Sequence, residues 1–345
     1  VNGAELPAKR LSGLISRGRT GDVTACLPAM SSERKIGTLL RGSLRKSIEA
    51  SWAVVAVMLP VSLGVTLLQH LGWLERMADL LAPLMRLLSL PAEASFALLA
   101  AALVNLYAGI AVMATLPLGA RDINVIAVMM LVCHNLIVES AVQSKTGVRG
   151  LRIAFFRIAA ALVIGFCLSR LLPAGMELAG AGVAAAAPAG GTLGEALAAW
   201  GRQNAALVLK IVLIVTAINI ASDLMRFFGL FGPLTTLLRP VTFLLGLPKQ
   251  VSLMWVAGAF FGLAYGAGVL IGEARSGNMD RDSLLRLNIS LGICHSLVED
   301  TLLFMAIGGS LFWLLAPRMA AAALAVWLQV AAARILARLR SRRRA

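Results

Sequence analysis

Residues 133–140 read CHNLIVES and residues 294–301 read CHSLVEDT. Two of the chain's three histidines, His134 and His295, stand in these two stretches. Each is followed five residues later by a carboxylate, Glu139 or Asp300, and Glu299 adds a third. A histidine beside a carboxylate can hold and relay a proton, coupling a gradient to solute movement. Carboxylate, amide and hydroxyl groups next to broken backbone can coordinate a sodium ion and hydrogen-bond a polar solute. Cysteine, histidine and glutamate together can ligate a transition metal. Adjacent side chains such as Cys133 and His134 point about 100° apart on a helix, so a shared metal would need ligands from both stretches. The cysteines are therefore expected to pack rather than react.

Both stretches lie inside apolar runs. The chain is 59% hydrophobic and 14% charged, with a mean hydropathy of +0.84, far from the soluble norm. Runs long enough to cross about 30 Å of hydrocarbon are predicted near 50–70, 94–118, 124–142, 150–172, 205–225, 250–272, 284–309 and 310–336. His134 and His295 then fall near the midplane, where an ionisable group marks a functional site by default. Helical spacing puts Asn135, Glu139 and Gln143 on one face, Ser296 with Asp300 on the equivalent one, and Asn288, His295 and Glu299 on another. Ser140 corresponds to Thr301. The candidate substrate- or ion-binding set is therefore His134, Asn135, Glu139, Ser140, His295, Ser296, Glu299, Asp300 and Thr301, with Asn105 from the bend described below. Polar side chains also join packed helices as structural glue, at about 1 kcal/mol per pair, but glue does not require two acids at the midplane. Asp223, with Asn219 and Ser222, is a secondary candidate. Arg157 and Lys210 lie near predicted span ends and are expected to snorkel.

The elements that must position these residues are repeated. Pro83 and Pro91 in LLAPLMRLLSLP answer to Pro240 and Pro248 in LLRPVTFLLGLP, and Gly109 in NLYAGIAV falls opposite Gly266 in LAYGAGVL at the same offset. Residues 46–172 and 202–338 are read as two copies of one unit, joined by an Ala/Gly-rich linker at 173–201. A basic tail at 1–45 precedes them and an Arg-rich tail at 339–345 follows. Basic residues crowd before residue 46, at 143–152 and after residue 334, which marks those segments as cytoplasmic and the uncharged linker as external. The copies are then inverted, the arrangement of many secondary transporters. Segment 72–90 carries Glu75, Arg76, Asp79 and Arg86, too many charges for a lipid-facing span, and it and its counterpart 226–247 are expected to be interfacial amphipathic helices. Parity then favours re-entrant helical hairpins at 94–118 and 250–272, bent at NLYAG and GLAYGAG, because glycine permits such bends and irregular backbone survives at membrane depth only beside a cavity; the alternative takes every segment as a crossing and gives ten spans. The expected fold class is all-α integral membrane: two inverted repeats with interfacial amphipathic helices and re-entrant hairpins.

The net charge of +15 would suggest nucleic acid in a soluble protein, but its placement at span ends points to membrane lipid instead. The four cysteines form no disulfide framework, and the first apolar run is too long for a cleavable signal. No phosphate loop, CxxC pair or HExxH occurs, so an enzyme is not expected. No cofactor is expected beyond a coupling sodium ion or proton, and a homodimer is a further expectation.

The inverted unit, with its proline-punctuated amphipathic helix, Gly-broken apolar segment and polar-centred span, resembles the Gate, or nucleoside-recognition, domain. That domain occurs in concentrative nucleoside transporters, in the membrane part of B-type ferrous-iron transporters and in spore-maturation proteins. The stretch CHNLIVESAVQSKTG in particular looks like the stand-alone bacterial members. The resemblance covers roughly residues 45–335 and implies a transporter-like core in a bacterial inner membrane, both termini cytoplasmic. The implied activity is secondary transport of a small polar, nucleoside-like solute. The alternatives are a divalent-metal transporter using the Cys-His pairs, and a non-transporting scaffold.

Overall fold

In a computed structural model of the chain, residues 32–173, 175–176, 192–275, 277 and 279–342 are described. The predicted tail before residue 32, most of the 173–201 linker and residues 343–345 lie outside the described residues. Every element among the described residues is helical. The chain divides into two units, Val1–Gly42 and Ser43–Ala345; the first contributes the opening turns of α1 (Ser32–His70), and the second holds everything that follows.

Five helical stretches are long and apolar enough to cross a membrane: Ile36–His70, Ala120–Ser144, Gly150–Leu171, Leu193–Phe227 and Leu311–Ser341. The protein is a multi-pass membrane protein. In four of them only 17 to 33% of the apolar window is buried by protein, whereas Ala120–Ser144 is 72% buried and so runs through the centre of the fold. These stretches correspond to α1, to α6 (Ala120–Cys133) followed by α7 (Leu136–Ser144), to α8 (Gly150–Leu171), to α9 (Leu193–Phe227) and to α15 (Leu311–Arg342). The start of α9 is fixed by a reciprocal cap between Thr192 and Glu195.

Segments 72–90 and 226–247 each fold as two short helices: α2 (Trp73–Ala78) with α3 (Ala82–Leu87), and α10 (Phe231–Leu237) with α11 (Arg239–Leu244). Pro83 and Pro240 sit in the first turns of α3 and α11, where a missing N–H costs nothing. Both helices end through a left-handed residue, Ser89 (φ 53°) and Gly246 (φ 71°), which returns an amide to a helix carbonyl, Leu90 to Met85 and Leu247 to Thr242, each at 2.9 Å. Leu74, Met85 and Leu88 are buried while Leu80, Leu87, Leu237 and Phe243 are exposed.

The predicted bends are present. Segment 94–118 breaks at Val104–Asn105 into α4 (Ala94–Leu103) and α5 (Leu106–Thr115). A Cβ placed on Gly109 of α5 would fall 2.6 Å from Ala101 Cβ and 2.9 Å from Ala97 O of α4. Along a continuous helix those residues would stand roughly 12 to 18 Å away, so the chain has folded back on itself. In the second copy α12 (Ser252–Arg275) is kinked at Gly262 (φ 74°, ψ 169°), and a Cβ on Gly266 would lie 3.3 Å from Ala257 O. Asn105 and Gly262 are 157 residues apart, as are Gly109 and Gly266, so both hairpins turn at one register. Ten residues of helix span about 15 Å, half a hydrocarbon core. Gly109→Ala would press its methyl against Ala101 and Met130 with backbone behind it; a loss of about 1–3 kcal/mol is expected in unfolding of the purified protein. Gly64→Ala, in open space on α1, should cost nothing.

One expectation is corrected. The continuous spans predicted at 124–142 and 284–309 are each broken, into α6 and α7 and into α13 (Arg281–Ile293) and α14 (Glu299–Met305). The single face drawn through Asn288, His295 and Glu299 therefore does not exist, because Asn288 lies on α13, Glu299 on α14 and His295 in the break between them. Asn288 instead holds Thr146 (Nδ2 to Oγ1, 2.8 Å) and offers its carbonyl to Gln143 (3.0 Å).

Candidate functional site

The site is built on the two breaks. Helix α6 stops at Cys133; His134 is extended, and Asn135 takes a left-handed conformation (φ 47°, ψ 35°) before α7 begins. Ser296 repeats that conformation (φ 47°) between α13 and α14. Each left-handed residue hangs on the neighbouring hairpin: Asn135 N donates to Ala101 O (2.9 Å), and Ser296 N to Gly258 O (3.1 Å). Asparagine tolerates this region through local side-chain hydrogen bonding, and a serine there is held by its surroundings.

A break strands helix-end carbonyls, and buried carbonyls need partners. Arg157 of α8 donates from Nε to Val132 O and from Nη2 to His134 O, both at 2.8 Å. Arg318 of α15 does the same for the second copy, Nε to Ile293 O (3.2 Å) and Nη2 to His295 O (2.5 Å). Each guanidinium also places positive charge at the negative end of a helix. Both arginines are 0% exposed, so Arg157 does not snorkel as its position near a span end suggested. Arg318 was not singled out by sequence reasoning. The signal was present: FRIAAAL and PRMAAAA are separated by 161 residues, the offset that relates His134 to His295. Lys210, the other predicted snorkeller, donates to Ala306 O (2.8 Å) at the end of α14.

The imidazoles are held back to front. His134 Nδ1 lies 3.0 Å from Met130 O and His295 Nδ1 lies 2.7 Å from Leu291 O. A carbonyl only accepts, so both Nδ1 atoms carry hydrogen and, in neutral rings, both Nε2 atoms present lone pairs. Those two Nε2 atoms are 3.4 Å apart. Glu139 places Oε1 3.3 Å from His134 Nε2 and Oε2 3.1 Å from His295 Nε2, while Asp300 Oδ2 lies 3.4 Å from His134 Nε2. Arg157 Nη2 pins Glu139 Oε2 at 2.7 Å. Asp300 occupies the matching position in the second copy but is one methylene shorter, and among the described residues no carboxylate comes within 4.0 Å of Arg318. With neutral imidazoles, two carboxylates face two guanidiniums, and four lone-pair-bearing side chains converge on one small region. Chemically, such a cluster offers lone pairs to a proton or a metal ion.

The remaining predicted residues are distributed around this centre. Ser140 and Thr301 are buried, and neither hydroxyl has a hydrogen-bond partner among the described residues. Glu299 accepts from Tyr107 of α5 (2.7 Å), a bond between the two copies. Asn105 caps α5, its side chain accepting from Ala108 N (2.8 Å), and does not join the histidines. Cys133 is buried and Cys294 Sγ faces Met319 Sδ at 3.0 Å. His134, Glu139 and His295 each offer a ligand atom within 4.8 Å of the others, a set without either cysteine. The histidines are 3% and 0% exposed and their rings are 4.9 Å apart, which leaves no space for an organic solute between them.

Residues 51–181 match the Gate family, described as nucleoside recognition. The chain is 36% identical over 286 residues to the uncharacterized membrane protein YvoD of Bacillus subtilis (strain 168), a match covering 81% of this chain and 90% of the relative. No solved structure matches it. With its proline-opened short helices, paired hairpins and twin broken helices, the chain belongs to the Gate, or nucleoside-recognition, family of membrane proteins.

Proposed function

We propose that the protein is a secondary transporter of a small polar solute, driven by a cation held where its two broken helices meet. The supporting observation is the convergence of the His134 and His295 Nε2 lone pairs with Glu139 and Asp300 beside irregular backbone. Broken helices contributed by two repeats are the usual construction of an ion and substrate site in secondary transporters. A proton is the reading that needs least rearrangement, since one proton between the Nε2 atoms removes the lone-pair opposition. The membrane is a bacterial inner membrane with both termini cytoplasmic, on the distribution of basic loops. The direct contact of the rings then corresponds to a closed conformation, and access requires the two copies to part.

One observation favours a divalent transition metal as the cation. Two ligands about 2.1 Å from a metal stand roughly 3.0–3.4 Å apart, and the two Nε2 atoms are 3.4 Å apart, with Glu139 Oε1 3.3 Å from the first and its other oxygen, Oε2, 3.1 Å from the second. The Nδ1 contacts to backbone carbonyls are also those that metal-bound histidines make. Arg157 counts against it, by adding positive charge beside Glu139. The test is uptake of a solute panel into proteoliposomes under an imposed proton or sodium gradient, with metal content measured on the same preparation. Gradient-driven uptake by metal-free protein is expected. Stoichiometric iron, manganese or zinc without proton movement would replace the first reading by the second. No uptake, no metal and silent Glu139 and Asp300 variants in cells would leave a scaffold.

A further inference from the structure

Away from the histidines, a cavity of about 180 Å³ lies between α1, α9, α12 and α14. Asn219, Ser222, Asp223 and Arg226 line it from α9 at spacings of three, four and seven, one polar stripe near the C-terminal end of that helix. Lys46 of α1 and Glu299 of α14 complete its charged lining. Asp223 Oδ2 accepts from Ser43 (2.7 Å) and Lys46 (3.3 Å), and the Arg226 guanidinium lies 5.8 Å from the centre of the Phe261 ring.

We propose that this cavity is the solute site and that the solute is a small zwitterion of the amino-acid class. The lining balances, with Lys46 and Arg226 against Asp223 and Glu299. A solute carrying one net charge would leave that balance broken, whereas a zwitterion preserves it. Its carboxylate faces Arg226 and Lys46, and its ammonium faces Asp223 and Glu299. Asn219 and Ser222 supply neutral hydrogen bonds between the two ends. The volume corresponds to about six waters and falls below the roughly 300 Å³ at which drug-sized ligand pockets begin, which suits a solute of amino-acid size. The inference rests on the transporter reading for its role, and the position of Glu299 connects the two. Glu299 touches the cavity and Tyr107, and the next residue, Asp300, touches His134. An ammonium on Glu299 therefore acts one residue from the cation centre.

The test uses the full-length protein in nanodiscs, with binding of glycine, alanine and glutamine measured by calorimetry and thermal shift at up to about 10 mM. Uridine, inorganic phosphate, acetate and ethylamine serve as comparison solutes. At least one amino acid should bind, with acetate and ethylamine about tenfold or more weaker. Arg226→Gln, at the exposed rim, and Asp223→Asn should each weaken that binding about tenfold with little change in the unliganded melting temperature. Absence of amino-acid binding, binding of uridine alone, or unchanged affinity in Arg226→Gln would each overturn the assignment. Gradient-driven uptake of another solute without amino-acid binding would overturn the zwitterion and leave the transporter reading standing. Amino-acid binding without uptake would do the reverse.

Discussion

Arg157→Ala is expected to lower the stability of the purified protein by roughly 3–5 kcal/mol, a large share of the 5–15 kcal/mol that a folded protein commonly holds. The substitution removes the donor to Val132 O and His134 O, and it takes away the guanidinium that stands beside the buried Glu139 carboxylate. Arg318→Ala strands the equivalent carbonyls Ile293 O and His295 O but abandons no carboxylate, so its cost should be nearer 1–3 kcal/mol. Arg157→Lys should recover only part of the loss, because an ammonium on a single stem cannot span two carbonyls and a carboxylate as a planar fork does. Unfolding of the three variants against wild type in one detergent measures all of this. Equal losses for Arg157→Ala and Arg318→Ala would show that the Glu139 pairing contributes nothing.

Much of this arrangement was legible in the sequence. The prolines eight apart marked the short helices and the glycines marked the two bends, because proline and glycine act through backbone sterics that need no tertiary context. The breaks at His134–Asn135 and at His295–Ser296 were not legible. A single left-handed Asn or Ser leaves no proline or glycine behind, and the conformation is imposed by amide bonds to Ala101 O and Gly258 O of the hairpins. Arg157 was misread for a related reason. A lone arginine near the start of an apolar run fits snorkelling, and only the stranded carbonyls of another helix explain why it turns inward. Its repetition as Arg318 was the clue within reach. Asn105 was singled out for chemistry because it opens the bend, and its side chain is occupied by capping that bend. The expectation that the cysteines pack agrees with Cys294 facing Met319.

Glu139→Gln is expected to weaken cation occupancy of the site by about a thousandfold. Among the described residues Glu139 is the one carboxylate that touches both imidazoles and a guanidinium, at 3.3, 3.1 and 2.7 Å. Removing its charge leaves Asp300 alone against Arg157 and Arg318, so the surroundings change from balanced to net positive. A unit charge about 4 Å away at an effective dielectric near 20 is worth about 4 kcal/mol, and each 1.4 kcal/mol is a factor of ten. Asp300→Asn removes one contact, at 3.4 Å from His134 alone, and its effect should be at least tenfold smaller. The readout is the cation concentration that half-saturates uptake in proteoliposomes, or retained metal if a metal is the cation. Glu139→Gln should also unfold less readily than Arg157→Ala, since Arg157 still holds Val132 O and His134 O. Loss of uptake with the fold retained would then belong to the missing charge. Comparable effects from Glu139→Gln and Asp300→Asn would mean that the cation sits midway between the two copies, and that the contacts drawn by Glu139 to both histidines describe the closed conformation only.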